Sequence, residues 1–213
     1  MTLRKLIPSA LFVVSLQAGA AMTPLDLRCE GMAGAPAVRA SPRLSWRVET
    51  DQPESRGLVQ SAWHILVASS RESLAKGQGD LWDSGKVNAG RSPGVLYAGR
   101  KLVAGQRCHW KVRSWDAQGT ASAWSEPAAW EVAPETPADW QGARWIDDGR
   151  DNPTADVDLY KPDPAPLLRR EFKLSKPVVR ARLHVAGLGW YVPRLNGQRV
   201  GDHVLDPPWT AFD

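Results

Sequence analysis

Short apolar or alternating runs, each closed by turn-forming residues after about ten positions, fill residues 24–132 of this chain. Only residues 71–76 have a pattern that fits a helical turn, and that segment is short. Strands of this length bury enough apolar surface when two sheets pack face to face. The first half of the chain is therefore predicted to be all-β, built from two antiparallel sheets.

Seven candidate strands can be placed in this stretch, at residues 25–29, 43–48, 62–69, 81–87, 94–97, 108–116 and 128–132. Seven short strands in about 110 residues fit a fibronectin type III or immunoglobulin-like sandwich. We therefore assign residues 22–133 to one such domain.

The candidate strand 108–116 alternates apolar with basic side chains, so its two faces differ in character. By the same alternation, His64 is predicted to be an outward residue of strand 62–69. In strand 108–116 the side chains predicted to face the core are Cys108, Trp110 and Val112, and those predicted to face outward are His109, Lys111 and Arg113.

A second β domain is predicted to begin after a linker at residues 134–139, which Pro134 and Pro137 mark. Strand patterns return at residues 140–146, 168–174 and 178–187, and a hairpin with Asn196-Gly197 at its turn follows. These are about four of the eight or so strands that would close a sandwich. Residues 140–213 are therefore predicted to be a truncated second β-sandwich.

Residues 1–21 have a charged start, an apolar run and a small-residue end, which together indicate a signal peptide. The apolar run is too short for a membrane span, which needs roughly twenty residues. We expect export to the periplasm or the extracellular space, with no membrane association once the leader is cleaved.

The charge balance argues against a nucleic-acid partner. Of 27 Lys and Arg, the leader removes Arg4 and Lys5, which leaves 25 against 23 Asp and Glu. The remaining basic residues are scattered along the sequence, and phosphate backbones require a concentrated patch.

Two cysteines and eleven tryptophans are the other unusual features of the composition. Cys29 and Cys108 can form a disulfide in an exported chain, or they can be two buried free thiols. Indole rings stack on sugars, but in a small β domain most of them fill the core. Trp190 and Tyr191 are neighbours on a strand and face opposite ways, so one of them is predicted to be exposed.

Eight stretches together, in this order and spacing, resemble the amino-terminal part of large, multidomain, secreted bacterial α-L-rhamnosidases. They are Pro42-Arg-Leu-Ser-Trp46, Asp80-Leu-Trp-Asp-Ser-Gly-Lys86, Trp110-Lys-Val-Arg-Ser-Trp-Asp116, Trp124-Ser-Glu-Pro127, residues 140–146, Gly187-Leu-Gly-Trp-Tyr191, Leu195-Asn-Gly-Gln-Arg-Val-Gly-Asp202 and Pro208-Trp-Thr210.

The resemblance implies a fibronectin-like module, then an amino-terminal β-sandwich, then further β domains, and last an (α/α)₆ barrel that carries inverting hydrolysis of terminal non-reducing α-L-rhamnose. No barrel pattern is present in these residues, so we expect a non-catalytic portion whose partner is the missing catalytic domain. The alternative is a self-sufficient secreted carbohydrate-binding or adhesion module that uses exposed Trp residues.

No catalytic residue, metal site or cofactor is predicted. The carboxylates of Asp147, Asp148, Asp151, Asp156, Asp158 and Asp163 lie in a polar, Pro-rich stretch, where such charges are usually solvated. The candidate residues for weak carbohydrate contact are Trp190, Tyr191 and Trp209. Cys108 stands where fibronectin-like domains usually place a Tyr, so the hydroxyl-to-backbone hydrogen bond of that corner is expected to be missing.

Overall fold

The computed structural model describes residues 22–50, 57–150, 155–162 and 164–207. The predicted signal peptide at residues 1–21 lies outside these ranges. The described residues up to Glu135 form one compact unit, and those from Thr136 onward form a second. Within the described part of the chain, no helix is both long and apolar enough to cross a membrane.

The first unit is an antiparallel sandwich, which confirms the predicted all-β fold. Its elements are β1 (Met22–Cys29), β2 (Arg43–Thr50), β3 (Gln60–Ala68), α1 (Arg71–Ala75), β4 (Trp82–Asp83), β5 (Val95–Leu96), β6 (Arg107–Asp116) and β7 (Ala128–Glu131). The two sheets have the strand orders β1-β2-β5 and β4-β3-β6-β7. Each of the seven strands predicted in this unit overlaps an observed one, although β4 and β5 are only two residues long.

Aromatic side chains fill much of the core between the two sheets. The ring of Trp130 packs edge-to-face against Trp110 at 6.4 Å and against Tyr97 at 6.0 Å between centroids. Such pairs add to the stabilisation that the buried area itself supplies. Cys108, Trp110 and Val112 are fully buried, which confirms the predicted inward face of β6.

A buried amide joins the two sheets. Gln60 Oε1 on β3 accepts hydrogen bonds from Trp46 Nε1 on β2 at 3.0 Å and from Ser114 Oγ on β6 at 2.6 Å. Gln60 Nε2 in turn donates to the carbonyl oxygen of Gly90 at 3.3 Å. Because these groups are shielded from water, each one depends on the others for its hydrogen bond.

Tyr97, just after β5, makes hydrogen bonds from its hydroxyl to the backbone. The hydroxyl donates to the carbonyl oxygen of Arg100 at 2.9 Å and lies 3.2 Å from that of Leu81. These bonds lie at a different position from the corner at Cys108, so they do not contradict the expectation for that corner.

The second unit contains one two-stranded sheet among its described residues, formed by β8 (Arg194–Leu195) and β9 (Gln198–Arg199). At their turn Asn196 has φ 50° and Gly197 has φ 81°, which confirms the predicted type I′ hairpin. Two 3₁₀ turns, Pro137–Trp140 and Asp156–Tyr160, complete its regular structure.

The strands predicted at residues 140–146, 168–174 and 178–187 are wrong, since none of these segments is a regular strand. Their apolar side chains remain in solvent, with Phe172 65% exposed and Val179 fully exposed. An alternating sequence forms a strand only when a neighbouring strand takes up its backbone hydrogen bonds. No such neighbour lies beside them in the described part of the unit.

We predict that Gln60→Ala lowers the free energy of unfolding by about 2 to 3 kcal/mol, because Trp46 Nε1 and Ser114 Oγ lose a buried acceptor. Urea unfolding followed by Trp fluorescence measures this loss. The matched control is Gln118→Ala, whose side chain is exposed in the turn after β6. Equal unfolding midpoints for the two variants would contradict the role given to Gln60.

Candidate functional site

One residue of the Trp190–Tyr191 pair is exposed, as predicted, but residues 187–190 do not form the strand on which that prediction was based. Trp190 is 61% exposed, whereas Tyr191 is half-buried. The backbone N–H of Tyr191 donates to the carbonyl oxygen of Asp206 at 2.9 Å, and burial followed by the nearby Asp206 raises the pKa of the Tyr191 hydroxyl. Of these two candidates, only Trp190 offers a large exposed ring. Trp209 lies outside the described residues.

Gly187 is required by the position of the Tyr191 ring. A Cβ atom on residue 187 would lie 2.5 Å from Tyr191 Cδ1, far inside normal contact distance. The glycine therefore lets the ring pack directly on the backbone. The packing of the Tyr191 ring explains why glycine stands at position 187, and it does not indicate a ligand.

Asp147 and Asp148, in the acidic stretch, accept hydrogen bonds from nearby backbone N–H groups. Asp147 Oδ1 accepts a hydrogen bond from Gly149 N at 2.9 Å, and Asp148 Oδ1 accepts one from Arg150 N at 3.1 Å. The hydrogen bonds from the Arg150 backbone and side chain lower the pKa of Asp148. A catalytic acid needs the opposite shift, toward the protonated form. Asp151 and Asp163 lie outside the described residues.

The two cysteines are buried free thiols in this structure, so the candidate disulfide is not formed in it. Burial raises the pKa of each thiol to about 12, and Glu30 and Cys108 add to the effect at Cys29. A thiol with so high a pKa is a poor nucleophile at neutral pH.

The outer face of the β4-β3-β6-β7 sheet carries an arrangement that sequence reasoning missed. Along it, cations alternate with indole rings in the order Lys111, Trp124, Arg113, Trp115, Lys86. The distances from each cation to the neighbouring ring centroid are 5.0, 4.8, 4.9 and 4.8 Å. We call this arrangement the cation–indole ladder. Each contact lies within the range of a favourable cation–π interaction.

His64 connects the ladder to β4. Its Nε2 lies 2.6 Å from Asp83 Oδ1, and its Nδ1 lies 3.3 Å from Arg113 Nη2. Since a guanidinium can only donate, Nδ1 must accept, which assigns the proton of the neutral ring to Nε2. Burial acts to raise the pKa of Asp83, but hydrogen bonds from Gly85 and His64 outweigh it and lower that pKa.

Only part of the cation–indole ladder could be predicted from the sequence. The alternation of β6 correctly predicted that His109, Lys111 and Arg113 face outward, as their partial exposure confirms. Trp124 comes from the segment between β6 and β7, and no strand periodicity placed its ring between Lys111 and Arg113. The arrangement therefore depends on a loop conformation that only the folded chain defines.

We predict that both cysteines resist the thiol reagent DTNB at pH 8 in the native chain and that two thiols react after unfolding in guanidinium. Burial explains the first result, because it disfavours ionisation of the thiol to the reactive thiolate. If neither cysteine reacted with DTNB after unfolding, but both reacted after reduction, the two would instead be joined by a disulfide.

The same pKa values predict how the free energy of unfolding depends on pH. Both thiols have a folded-state pKa of about 12 against an ordinary value of 9.0, so the unfolded chain loses these protons first as the pH rises. Their contribution to stability is therefore complete below pH 9.0 and is lost between pH 9.0 and about 12. A Cys29→Ala/Cys108→Ala variant should show a shallower loss of unfolding free energy over that range.

Two family models match the chain. One, described as the Rha78A-like, N-terminal immunoglobulin domain, matches residues 24–135. The other, described as the alpha-L-rhamnosidase N-terminal domain, matches residues 176–213. The first match includes all but the first two residues of the sandwich, and the second includes the β8–β9 hairpin.

Curated relatives agree with these matches. An alpha-L-rhamnosidase of Formosa agariphila is 37% identical over 186 residues, which are 81% of this chain and 19% of that protein. One from Alteromonas sp. is 34% identical over 178 residues, which are 82% of this chain and 19% of that protein. The chain thus spans about a fifth of the length of these relatives.

Solved structures share the fold of part of the chain. The alpha-L-rhamnosidase of Streptomyces avermitilis, complexed with L-rhamnose, is 39% identical with a TM-score of 0.51 and covers 56% of this chain and 11% of its own. That from Dictyoglumus thermophilum is 29% identical with a TM-score of 0.52 and covers 56% of this chain and 13% of its own. By its family matches, its relatives and its fold, the chain belongs to the α-L-rhamnosidase family and corresponds to that family's amino-terminal region.

Proposed function

We propose that the chain is the non-catalytic amino-terminal portion of an exported α-L-rhamnosidase-like glycoside hydrolase. The parent activity is inverting hydrolysis of terminal non-reducing α-L-rhamnose, carried out by a catalytic (α/α)₆ barrel that these residues do not include. One observation carries the proposal. Both matching family models describe amino-terminal domains, and the chain spans about a fifth of its relatives' length.

The chemistry of the described carboxylates supports a non-catalytic role. Inverting hydrolysis needs one carboxyl group held protonated and a second, ionised one across a pocket. Four of the described carboxylates, Glu72, Asp80, Asp83 and Asp148, have a lowered pKa, which favours the ionised form. None of these four is suited to protonate a leaving oxygen at neutral pH.

The exposed apolar side chains of the second unit support a role within a larger assembly. Leu167 is 99% exposed, and Val179 and Phe172, which belong to the alternating segments, are fully exposed and 65% exposed. Such surfaces are normally covered by protein. We assign that covering to further domains of the parent enzyme, which makes its catalytic domain the principal partner.

Export and location are part of the proposal. The tripartite pattern of residues 1–21 supports secretion, which would place the mature chain in the periplasm or outside the cell. There the substrates would be rhamnose-containing glycans or glycosides. The relative from Streptomyces avermitilis that was solved with L-rhamnose supports this substrate class.

A second function is a self-sufficient secreted carbohydrate-binding or adhesion module. The observation that favours it is the exposure of two indole rings in the second unit, Trp145 at 70% and Trp190 at 61%. Exposed indoles are the side chains best suited to stack on sugar faces. In this function Trp190, with Tyr191 beside it, would make the sugar contact.

We predict that the purified full chain releases no product from p-nitrophenyl α-L-rhamnoside, whereas the α-L-rhamnosidase of Formosa agariphila does so in the same assay. Limited proteolysis with mass spectrometry is expected to leave a resistant core that ends near Glu135, since the second unit has little regular structure. Rhamnoside turnover by the chain alone would contradict the proposal.

Proteolysis and rhamnose-binding measurements on the same purified chain distinguish the second function from the first. Resistance to protease through the second unit, together with rhamnose binding that Trp190→Ala abolishes, would support the binding module. Trp145→Ala is the matched control, because its ring is similarly exposed but lies outside the Gly187-to-Tyr191 segment.

A further inference from the structure

The outward face of β6 carries a line of basic side chains. Arg107, His109, Lys111 and Arg113 occupy alternate positions and therefore lie on the same side of the sheet, opposite the buried Cys108, Trp110 and Val112. We call these four residues the basic strip. We propose that the basic strip binds a polysaccharide that bears uronic-acid carboxylates.

The basic strip is long enough to contact several units of an extended ligand. Alternate residues of a strand are about 6.7 Å apart, so Arg107 and Arg113 are separated by about 20 Å. Lys86 extends the line beyond Trp115 at one end. At the other end Arg71 lines a shallow pocket together with Arg107 and His109.

Cations are concentrated on and around this face. They are Arg71, Lys86, Arg107, Lys111 and Arg113. Of the carboxylates near them, Asp83 is hydrogen-bonded to His64, Glu72 lies in the first turn of α1, and Glu131 is the buried cross-strand neighbour of Arg107. Arg107 itself is exposed at the start of β6.

The cation–indole ladder holds part of the strip in place. Lys111 and Arg113 both pack on the ring of Trp124, and Arg113 also packs on Trp115. Long basic side chains normally lose considerable rotamer freedom when they bind. Here that cost is reduced because the rings already restrict them.

The same packing argues against nucleic acid as the ligand. Single-stranded nucleic acid binds by stacking bases on exposed aromatic rings. The ring of Trp124 is already in contact with two cations, and Trp115 is only 8% exposed. The face therefore offers charge without a free stacking surface.

An acidic protein partner is also disfavoured. Protein interfaces are centred on buried apolar anchors. The apolar side chains of this face, Leu66 and Ala68, are already buried beneath Leu74 of α1 and Trp124. The groups still exposed on this face are mainly charged and polar. A carboxylated polysaccharide, which binds through charge and hydroxyl groups, matches them.

The guanidinium groups favour carboxylate over other anions. Their planar fork pairs with the two oxygens of a carboxylate. In β6 the exposed guanidinium is that of Arg107, whereas Nε of Arg113 is buried. The choice of a polysaccharide rests on the proposed function, because it takes the chain to act on glycans.

The test measures affinity of the full chain for polygalacturonate by isothermal titration calorimetry at low salt. We expect binding to polygalacturonate and none to neutral dextran. Arg107→Gln/Lys111→Gln should weaken binding about tenfold, because two charge-assisted contacts are lost. The matched control, Arg39→Gln/Lys101→Gln, removes the same charge from loops outside the strip and should leave the affinity unchanged.

Three results would overturn the proposal. They are no binding to polygalacturonate, equal weakening by the control variant, and binding of dextran sulfate, poly-L-glutamate or oligo-dT as tight as that of polygalacturonate. If the double variant fails to fold, Lys86→Gln removes an exposed cation that extends the basic strip at one end, and it should weaken binding severalfold. The assay contains no rhamnose and no turnover, so its failure is distinguishable from failure of the proposed function.

Discussion

The pairing of β3 with β6 fixes which side of β6 faces the core, and the rest of the first unit depends on that choice. In this register Ile65 lies opposite Val112 and His64 lies opposite Arg113. Because side chains alternate along a strand, a slip of one residue would place the basic side chains in the core and the indoles in solvent. The observed register is therefore the one that buries Trp110 and exposes the basic strip.

Contacts between the sheets then complete the sandwich. The Gln60 amide joins β2, β3 and β6 through buried hydrogen bonds, and the hydroxyl of Tyr97, after β5, lies 3.2 Å from the carbonyl oxygen of Leu81, just before β4. The two buried thiols contribute packing without a covalent link in this structure. Stability in this domain thus comes from aromatic packing and from a few buried hydrogen bonds. The indole N–H groups of Trp63, Trp110 and Trp130 are buried without an acceptor among the described residues.

The two units differ in how well their sequence predicted their structure. In the first, alternation and turn residues located all seven strands, since each of them has a neighbour that pairs with it. In the second, the same kind of pattern at residues 168–174 and 178–187 gave no strand. The Asn196-Gly197 hairpin did form, because its two strands supply each other's partners within a few residues.

The sequence by itself determined the all-β class, the inward and outward faces of β6, the hairpin turn and the resemblance to α-L-rhamnosidases. All of these depend on the order of residues along a short stretch. Only the tertiary structure decided the Gln60 connection, the role of Tyr97 and the cation–indole ladder. Each of these joins residues far apart in the chain, such as Lys86 with Trp115 or Trp46 with Ser114 through Gln60, and their meeting depends on sheet packing and loop conformation rather than on local periodicity.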